Sequence, residues 1–227
     1  ADEVIAYVEN NCPEKKPLKV GYWHLGSNLD ETDFKGNSSD RATAVLQKNY
    51  LLTVGTIEPR KSQALILDVM EILWAHGIEL SLCVAGKAGW MVEGLMERMR
   101  THPELGKRLF LIEKPSDNEI AELYQGACGL IFFSVGEGFG LPLVEAAHYG
   151  VPIICSDIPV FREIAGEFAS YVKLGTPQSV SEQLMSWWHL KQVGTLPDTR
   201  NMPQLTWEES AEQMCQVIMD AKWLWKK

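Results

Sequence analysis

Residues 129–145 read G-L-I-F-F-S-V-G-E-G-F-G-L-P-L-V-E. The opening run 129–133 is short, apolar and β-prone, and predicts a buried strand. Glycines follow, and Pro142 stands where a helix accepts proline, in its first turn. A buried strand that leads through a glycine-rich turn into a helix is the repeating unit of an α/β fold. Gly138 and Gly140 lack a Cβ, so backbone N–H groups can approach a ligand closely at the helix N-terminus, the geometry of an anion site. Two carboxylates flank this turn. Glu137 is predicted at the strand end. Glu145, three residues after Pro142, is predicted in the first turn of the helix, near the same anion but able to accept hydrogen bonds from hydroxyl groups. A nucleotide sugar offers both partners. Strand-turn-helix units occur in most α/β proteins, and a glutamate at a helix N-terminus is stabilising without a ligand, so the surrounding sequence decides between the two readings.

Outward from this stretch, candidate strands recur at 50–54, 79–85, 109–112, 129–133, 152–155 and 169–172. Helical patterns at 64–74, 91–100, 118–124 and 144–148 separate them. The alternation predicts an α/β, Rossmann-like parallel sheet with helices on both faces. In such a sheet ligands bind outside the carboxyl ends of the strands. One of those ends is Tyr50-Leu51-Leu52-Thr53-Val54-Gly55-Thr56-Ile57-Glu58-Pro59-Arg60-Lys61-Ser62. Gly55 and Pro59 mark the exit loop, and Ser62 is the expected N-cap of the next helix. Arg60 and Lys61 then emerge beside a strand end and a helix start, where they can face the same crevice as the glutamate loop and neutralise a diphosphate. The first fifty residues supply only a helix at 2–10, a strand at 18–23 and a polar loop at 26–40.

The segment Gly55-Thr56-Ile57-Glu58-Pro59-Arg60-Lys61, the pair Gly86-Lys87, the stretch from Asp117 to Ala127, the run from Glu137 to Glu145, Pro152 and Phe161-Arg162-Glu163-Ile164 together resemble the family 4 retaining glycosyltransferases of the GT-B fold. The resemblance is closest to bacterial mannosyltransferase-like members that build surface polysaccharides, and it runs from Tyr50 to the C-terminus. It implies that Glu137 contacts the donor sugar, Glu145 hydrogen-bonds the ribose, and Lys61 with Arg60 binds the diphosphate. Backbone N–H groups of Phe139, Gly140 and Leu141, beside Gly138 and Pro142, would complete the phosphate cradle. Gly55, Thr56, Gly86 and Lys87 join the donor site, and Glu113, Lys114, Pro115 and Ser116 would hold the base edge. Many relatives carry Arg directly after the first glycine where this chain has Thr56, which shifts the phosphate charge onto Arg60 and Lys61. The implied organisation is a remnant of an N-terminal acceptor domain at 1–25, a linker at 26–49 and a donor-binding domain at 50–227, the C-terminal half of a GT-B enzyme. The chain begins without an initiator Met and is read as an excised fragment or a processed product, the donor-binding half with the acceptor half missing. The implied activity is transfer of a hexose, with mannose from GDP-mannose preferred and a UDP-sugar the alternative, onto a saccharide or lipid-linked saccharide. A sugar-nucleotide epimerase or phosphorylase of the same architecture, and a non-catalytic scaffold module, are the other readings.

Composition narrows the classes. The 227 residues carry a formal net charge of −9, which argues against nucleic acid as a partner, since backbone binding relies on clustered cations. Arg60, Lys61, Lys87 and Lys114 would still supply a local positive field at one rim. The five cysteines, at 12, 83, 128, 155 and 215, have no zinc-site spacing. Reduced, mostly buried thiols are expected, in keeping with the cytoplasm. Without a D-x-D triplet for a metal-bound diphosphate, no metal and no cofactor beyond the donor itself is expected. No apolar run approaches the roughly 20 residues of a membrane span, so membrane contact is expected to be peripheral at most. His148 is expected to be a partly buried packing residue. Trp187, Trp188, Trp207, Trp223 and Trp225 are expected on C-terminal helices, with Trp223 and Trp225 exposed beside Lys226 and Lys227.

Overall fold

The structure, a computed structural model, describes residues 1–12, 19–27 and 40–226. Most of the polar loop expected at 26–40, and the expected strand start at Leu18, lie outside the described residues. The chain divides into two compact units, residues 29–203 and residues 1–28 with 204–227.

The larger unit is built on six parallel strands: β2 (Tyr50–Val54), β3 (Ser81–Gly86), β4 (Leu109–Glu113), β5 (Gly129–Phe132), β6 (Ile153–Ser156) and β7 (Ala169–Val172). Their order across the sheet is β4-β3-β2-β5-β6-β7. The chain therefore builds outward from β2 to β4, then returns to the other side of β2 with β5. The switch point lies between β2 and β5, where open parallel sheets bind ligands. Register pairs Leu51 with Leu82 and with Gly129, and Leu82 with Leu109.

Side-chain alternation along these buried strands divides the core in two. Tyr50, Leu52, Cys83, Phe110, Leu130, Phe132, Ile153 and Cys155 face one layer, which α2 (Asp40–Leu46), α5 (Asp117–Gly126), α6 (Leu141–His148) and α7 (Pro159–Ala165) cover. Leu51, Leu82, Val84, Leu109, Ile131, Phe133 and Ile154 face the other, covered by α3 (Gln63–Ala75), α4 (Glu93–Arg100) and α8 (Pro177–Gln192).

Several expected boundaries move, each for a local reason. β3 begins at Ser81 rather than 79, because the Leu80 carbonyl accepts a 2.7 Å bond from the Trp74 indole N–H. β5 ends at Phe132, after which the Ser134 N–H turns to Ser156 Oγ at 2.8 Å. α4 starts at Glu93 rather than Met91, since Met91 has φ 53°, a left-handed value that no right-handed helix continues. α5 starts at Asp117, one residue early, because Ser116 and Glu119 form a reciprocal capping box. Ser62 is not the expected side-chain cap: it precedes α3 with φ 52° and makes no capping bond. The buried Gln63 ties the loop ahead of α3 instead, donating to the Thr56 carbonyl at 3.2 Å and accepting from the Glu58 N–H at 3.3 Å. His148 is exposed, not half-buried, and lies edge-on to Tyr149. Of the five free thiols only Cys83 and Cys155 are buried.

In the smaller unit, α1 (Asp2–Asn11) and α9 (Trp207–Met219) accompany a two-stranded antiparallel ladder of β1 (Lys19–Val20) with β8 (Trp225–Lys226). β1 is much shorter than the strand expected to 23. The Ser27 N–H bonds the Leu205 carbonyl at 2.8 Å, and Ser210 Oγ donates to the His24 carbonyl at 2.7 Å. Gly21 packs so closely that a Cβ would fall 2.3 Å from Val217 Cγ1. Trp187 is buried on α8, as expected, but Trp223 and Trp225 lie beyond the last helix, and Trp223 is half-buried under Lys19. Among the described residues no helix is long and apolar enough to cross a membrane.

Candidate active site

The exit of β2 supplies the cations. Gly55 has φ 120°, a conformation that favours glycine, and Lys61 folds back over the strand end so that its Nζ lies 3.2 Å from where a Cβ would stand. Its neighbour is tighter still, because a Cβ on Gly86 would fall 1.9 Å from the Gly55 carbonyl oxygen. The two exit loops are also clipped by backbone bonds, the Ile57 N–H to Lys87 O and the Gly89 N–H to Ile57 O, both 2.8 Å. A 3-10 turn over Pro59–Lys61 then presents Arg60 and Lys61.

The exit of β5 supplies the first carboxylate and is strapped to that turn. Ser134, fully buried, donates from Oγ to the Arg60 and Gly136 carbonyls, and the Val135 N–H bonds Arg60 O at 2.9 Å. Ser156 Oγ donates to the Ser134 carbonyl at 2.6 Å, tying β6 to the same corner. This holds Glu137 against both cations: Arg60 Nη1 is 2.6 Å from one carboxylate oxygen and Lys61 Nζ 3.4 Å from the other. Arg60 also donates to the Gly136 carbonyl and reaches Glu58 at 2.6 Å, and Glu58 in turn accepts from the exposed Trp90 indole N–H at 3.2 Å. The hydrogen bond to Glu137 is the chief reason that the Arg60 guanidinium is pushed above its already high range. Lys61 Nζ also sits 4.8 Å over the Phe132 ring.

Helix α6 starts directly behind this cluster. Gly140 is its N-cap with φ 101°, in a place where a Cβ would meet the Phe161 ring at 2.9 Å. Leu141 and Pro142 form its first positions, and Phe139 packs against the core ahead of them. Nothing in the polypeptide lies within 4 Å of a Cβ built on Gly138, so that glycine borders open space. Glu145 points back from the helix and accepts a 2.7 Å bond from the Tyr124 hydroxyl. Burial pushes its carboxyl above the usual carboxylate range, against the lowering effects of the Tyr124 bond and of Lys61, while Asp117 adds to the rise.

Beside the cations a cavity of about 360 Å³ is lined by Gly55, Thr56, Gly86, Lys87, Lys114, Pro115 and Ile120. Six of these are sequence candidates, and Ile120 of α5 was not foreseen. Glu113 and Ser116, expected in the same group, are absent from its lining. Glu113 forms a two-pronged pair with Arg100, at 3.0 and 2.7 Å, and Ser116 caps α5. The larger cavity of about 520 Å³ between α3 and α4, lined by Trp74, Arg98, His102 and Arg108, contains none of the candidate residues.

Sequence reasoning missed Tyr124, Ser134, Ser156, Glu58 and Trp90. All but Trp90 are buried or partly buried groups whose sequence signal is that of ordinary core and loop residues, and Trp90 carries no motif of its own. Among the described residues no group of three or more His, Cys, Asp or Glu is placed to hold a metal ion.

Comparison with known proteins bears on this arrangement. The model of the family "Glycosyl transferases group 1" matches residues 35–202. The serotype-specific mannosyltransferase WbdA of Escherichia coli is 41% identical over 219 residues, covering 93% of this chain and 27% of WbdA. The O-antigen chain mannosyltransferase RfbU of Salmonella typhimurium is 31% identical over 162 residues, covering 71% of this chain and 43% of RfbU. The chain thus spans about a quarter of WbdA and under half of RfbU. Among solved structures, Anabaena HepE in complex with UDP and glucose superposes with a TM-score of 0.66 at 15% identity, over 86% of this chain and 55% of HepE. The C-terminal domain of the Francisella tularensis group 1 glycosyl transferase LpcC gives 0.58 at 15% identity, over 84% of this chain and 98% of that domain. At such identities the structures speak for the fold alone, a Rossmann-like fold shared with GT-B glycosyltransferases. The family model spans most of the chain, including both strand exits and the start of α6, and the protein therefore belongs to the glycosyl transferases group 1 family.

Proposed function

We propose that this chain is the donor-binding domain of a retaining, metal-independent glycosyltransferase that moves mannose from GDP-mannose onto a growing surface polysaccharide or glycolipid. The observation that carries the reading is the convergence of Arg60, Lys61, Glu137, Glu145 and the α6 N-terminus at the switch point of the parallel sheet. The mannosyltransferase relatives support mannose as the sugar. In this reading the diphosphate lies against Lys61, Arg60 and the N–H groups of Phe139, Gly140 and Leu141, where the helix terminus favours negative charge. The base enters the cavity between Gly86-Lys87 and Lys114-Pro115, the ribose meets Glu145, and the hexose hydroxyls meet Glu137. In the ligand-free chain Glu137 neutralises the two cations. An arriving diphosphate takes them over and frees the carboxylate for the sugar. As the bond to the sugar breaks, charge grows on the departing phosphate oxygen and Lys61 stabilises it, while the acceptor hydroxyl attacks from the same face and passes its proton to that oxygen. The acceptor is expected to be held by an N-terminal domain of which residues 1–25 are the remnant, followed by a linker at 26–49. We place the protein in the cytoplasm, in keeping with its free thiols, with at most peripheral membrane contact.

Calorimetric titration with GDP, UDP, GDP-mannose and UDP-glucose, with and without a divalent metal, tests this reading. GDP and GDP-mannose are expected to bind without metal, and Lys61→Ala to weaken them by about tenfold or more, the worth of one charge-assisted contact. Equal affinity in the parent chain and in Lys61→Ala sinks the phosphate assignment. A preference for UDP and UDP-glucose favours the second reading, a UDP-sugar donor, for which the observation is the likeness to HepE with UDP and glucose.

A further inference from the structure

Glu145 does not stand alone in the cleft. Its Oε2 accepts a 2.7 Å bond from a tyrosine hydroxyl on a different helix. We infer that Tyr124 is a positioning residue for nucleotide recognition, its buried phenol fixing the Glu145 carboxylate so that the oxygen left over receives the hydroxyls of a ribose. The inference rests on the donor-site reading above and deepens it.

Three features of the geometry carry it. First, Tyr124 is fully buried, and its ring stacks on Tyr149 with centroids 5.6 Å apart and planes 10° from parallel. The phenol is thus held from behind and has one direction in which to donate. Its other neighbour, the Pro142 carbonyl, is 3.5 Å away, at the limit of a hydrogen bond. Second, a carboxylate offers about four acceptor directions and a phenol one proton. Tyr124 occupies one direction on Oε2, which fixes the rotation of the whole group and leaves Oε1 for a ligand. Two hydroxyls on adjacent ribose carbons are the donors that match such a fixed acceptor edge. Third, Tyr124 shares its helix with the cavity wall. Ile120, one turn earlier on α5, lines the 360 Å³ cavity together with Lys114 and Pro115, and the helix is locked directly behind them by the Ser116–Glu119 capping box. Helix positions four apart lie on one face, so one rigid element reaches both the base cavity and the ribose carboxylate. The distance between the two subsites is then set by α5. Burial and the neighbouring Glu145 charge also keep the phenol protonated far above neutral pH, so it remains a donor.

A purely structural role for the same bond predicts a different result, and a pair of nucleotides separates them. GDP with 2′,3′-dideoxy-GDP, and UDP with 2′,3′-dideoxy-UDP, are titrated into the 227-residue chain and into Tyr124→Phe. The parent chain is expected to prefer the ribonucleotide by about tenfold or more, because a site built to bond hydroxyls rejects an analogue without them. In Tyr124→Phe this ratio is expected to fall to about twofold, with the melting temperature and the circular dichroism close to those of the parent. Glu145→Gln is expected to collapse the ratio as well, and the double variant to lose no more than either single one, as for residues that act as a unit. An equal loss of affinity for both nucleotides in Tyr124→Phe, with the ratio preserved, marks a structural bond and overturns the inference. If Tyr124→Phe does not fold, 4-fluorophenylalanine at position 124, which keeps the volume without the proton, gives the same comparison. A parent chain that binds no nucleotide overturns the donor-site reading and this inference with it.

Discussion

Glu145 is held against its own ionisation. Burial raises its pKa in the folded chain above the usual carboxylate range, and the Tyr124 bond and Lys61 offset only part of that rise. A carboxyl with a raised folded pKa stabilises the protein while it is protonated. That contribution is fully present below the unfolded pKa and is lost as pH rises through the folded pKa. Glu145→Gln removes the loss. Without nucleotide, this variant is expected to melt above the parent chain at neutral pH, and the gap is expected to close toward pH 4. With nucleotide the order should reverse, because the carboxylate is the form that takes two hydroxyl donors. Melting temperature against pH, with and without GDP, checks both signs; a Glu145→Gln chain no more stable than the parent at pH 7 refutes the claim of an uncompensated buried charge. The charged partners were legible in the sequence because the strand-loop-helix pattern put Arg60, Lys61 and Glu137 at strand exits of one parallel sheet. Tyr124 was not legible, since a tyrosine near the end of an amphipathic helix reads as core. Its role exists only once α5 and α6 are side by side.

At the scale of loops and elements, the glycines separate what folding needs from what a ligand needs. Gly86 is a folding glycine: a Cβ would lie 1.9 Å from the Gly55 carbonyl oxygen, and backbone cannot yield as a flexible side chain can. Gly86→Ala is expected to push the ends of β2 and β3 apart and destabilise the chain by about 2 kcal/mol, in the range of overpacked cores. Gly138 is the opposite case, with nothing within 4 Å and no positive φ. Gly138→Ala should leave stability within about 0.5 kcal/mol of the parent while weakening GDP-mannose binding, because the new methyl group enters space that the donor would use. Chemical denaturation with calorimetry on both variants tests the pair; a Gly138→Ala chain that binds as tightly as the parent removes that loop from the donor contacts. The sequence could not rank these glycines, since a G-x-G pattern is silent on what faces it. It did predict all six strands, because buried parallel strands are continuous apolar runs. The differences arose from local geometry that a pattern does not carry: the Trp74 indole takes the Leu80 carbonyl, and Ser62 and Met91 adopt left-handed φ values of 52° and 53°.

Charge and core are distributed unevenly over the whole molecule. A net charge of −9 would repel an anionic donor at long range, so affinity must come from a few cations acting at short range in the cleft. In the proposed donor site Arg60, Lys61, Lys87 and Lys114 would meet that need, all within residues 60–114. Among the described residues the two apolar clusters together run from Val45 to Met202 and include none of the smaller unit. The parallel sheet, the 360 Å³ cavity, both strand exits and Tyr124 also lie within residues 29–203. The compact units group residues 204–227 with residues 1–28. An amphipathic helix announces that one face is buried, not against what, and the N- and C-terminal segments meet through contacts distant in sequence, the pairing of β1 with β8 and the bonds from Ser27 to Leu205 and from Ser210 to His24. If residues 29–203 contain a complete core and a complete nucleotide site, they should fold without the rest. A polypeptide of residues 29–203 is expected to unfold cooperatively and to bind GDP within about twofold of the 227-residue chain. Cooperative unfolding with GDP binding lost would assign part of the nucleotide site to the excised segments. Failure to fold cooperatively would show that the sheet and its two helical layers, although closed around their own apolar clusters, depend on residues 1–28 and 204–227 for their stability.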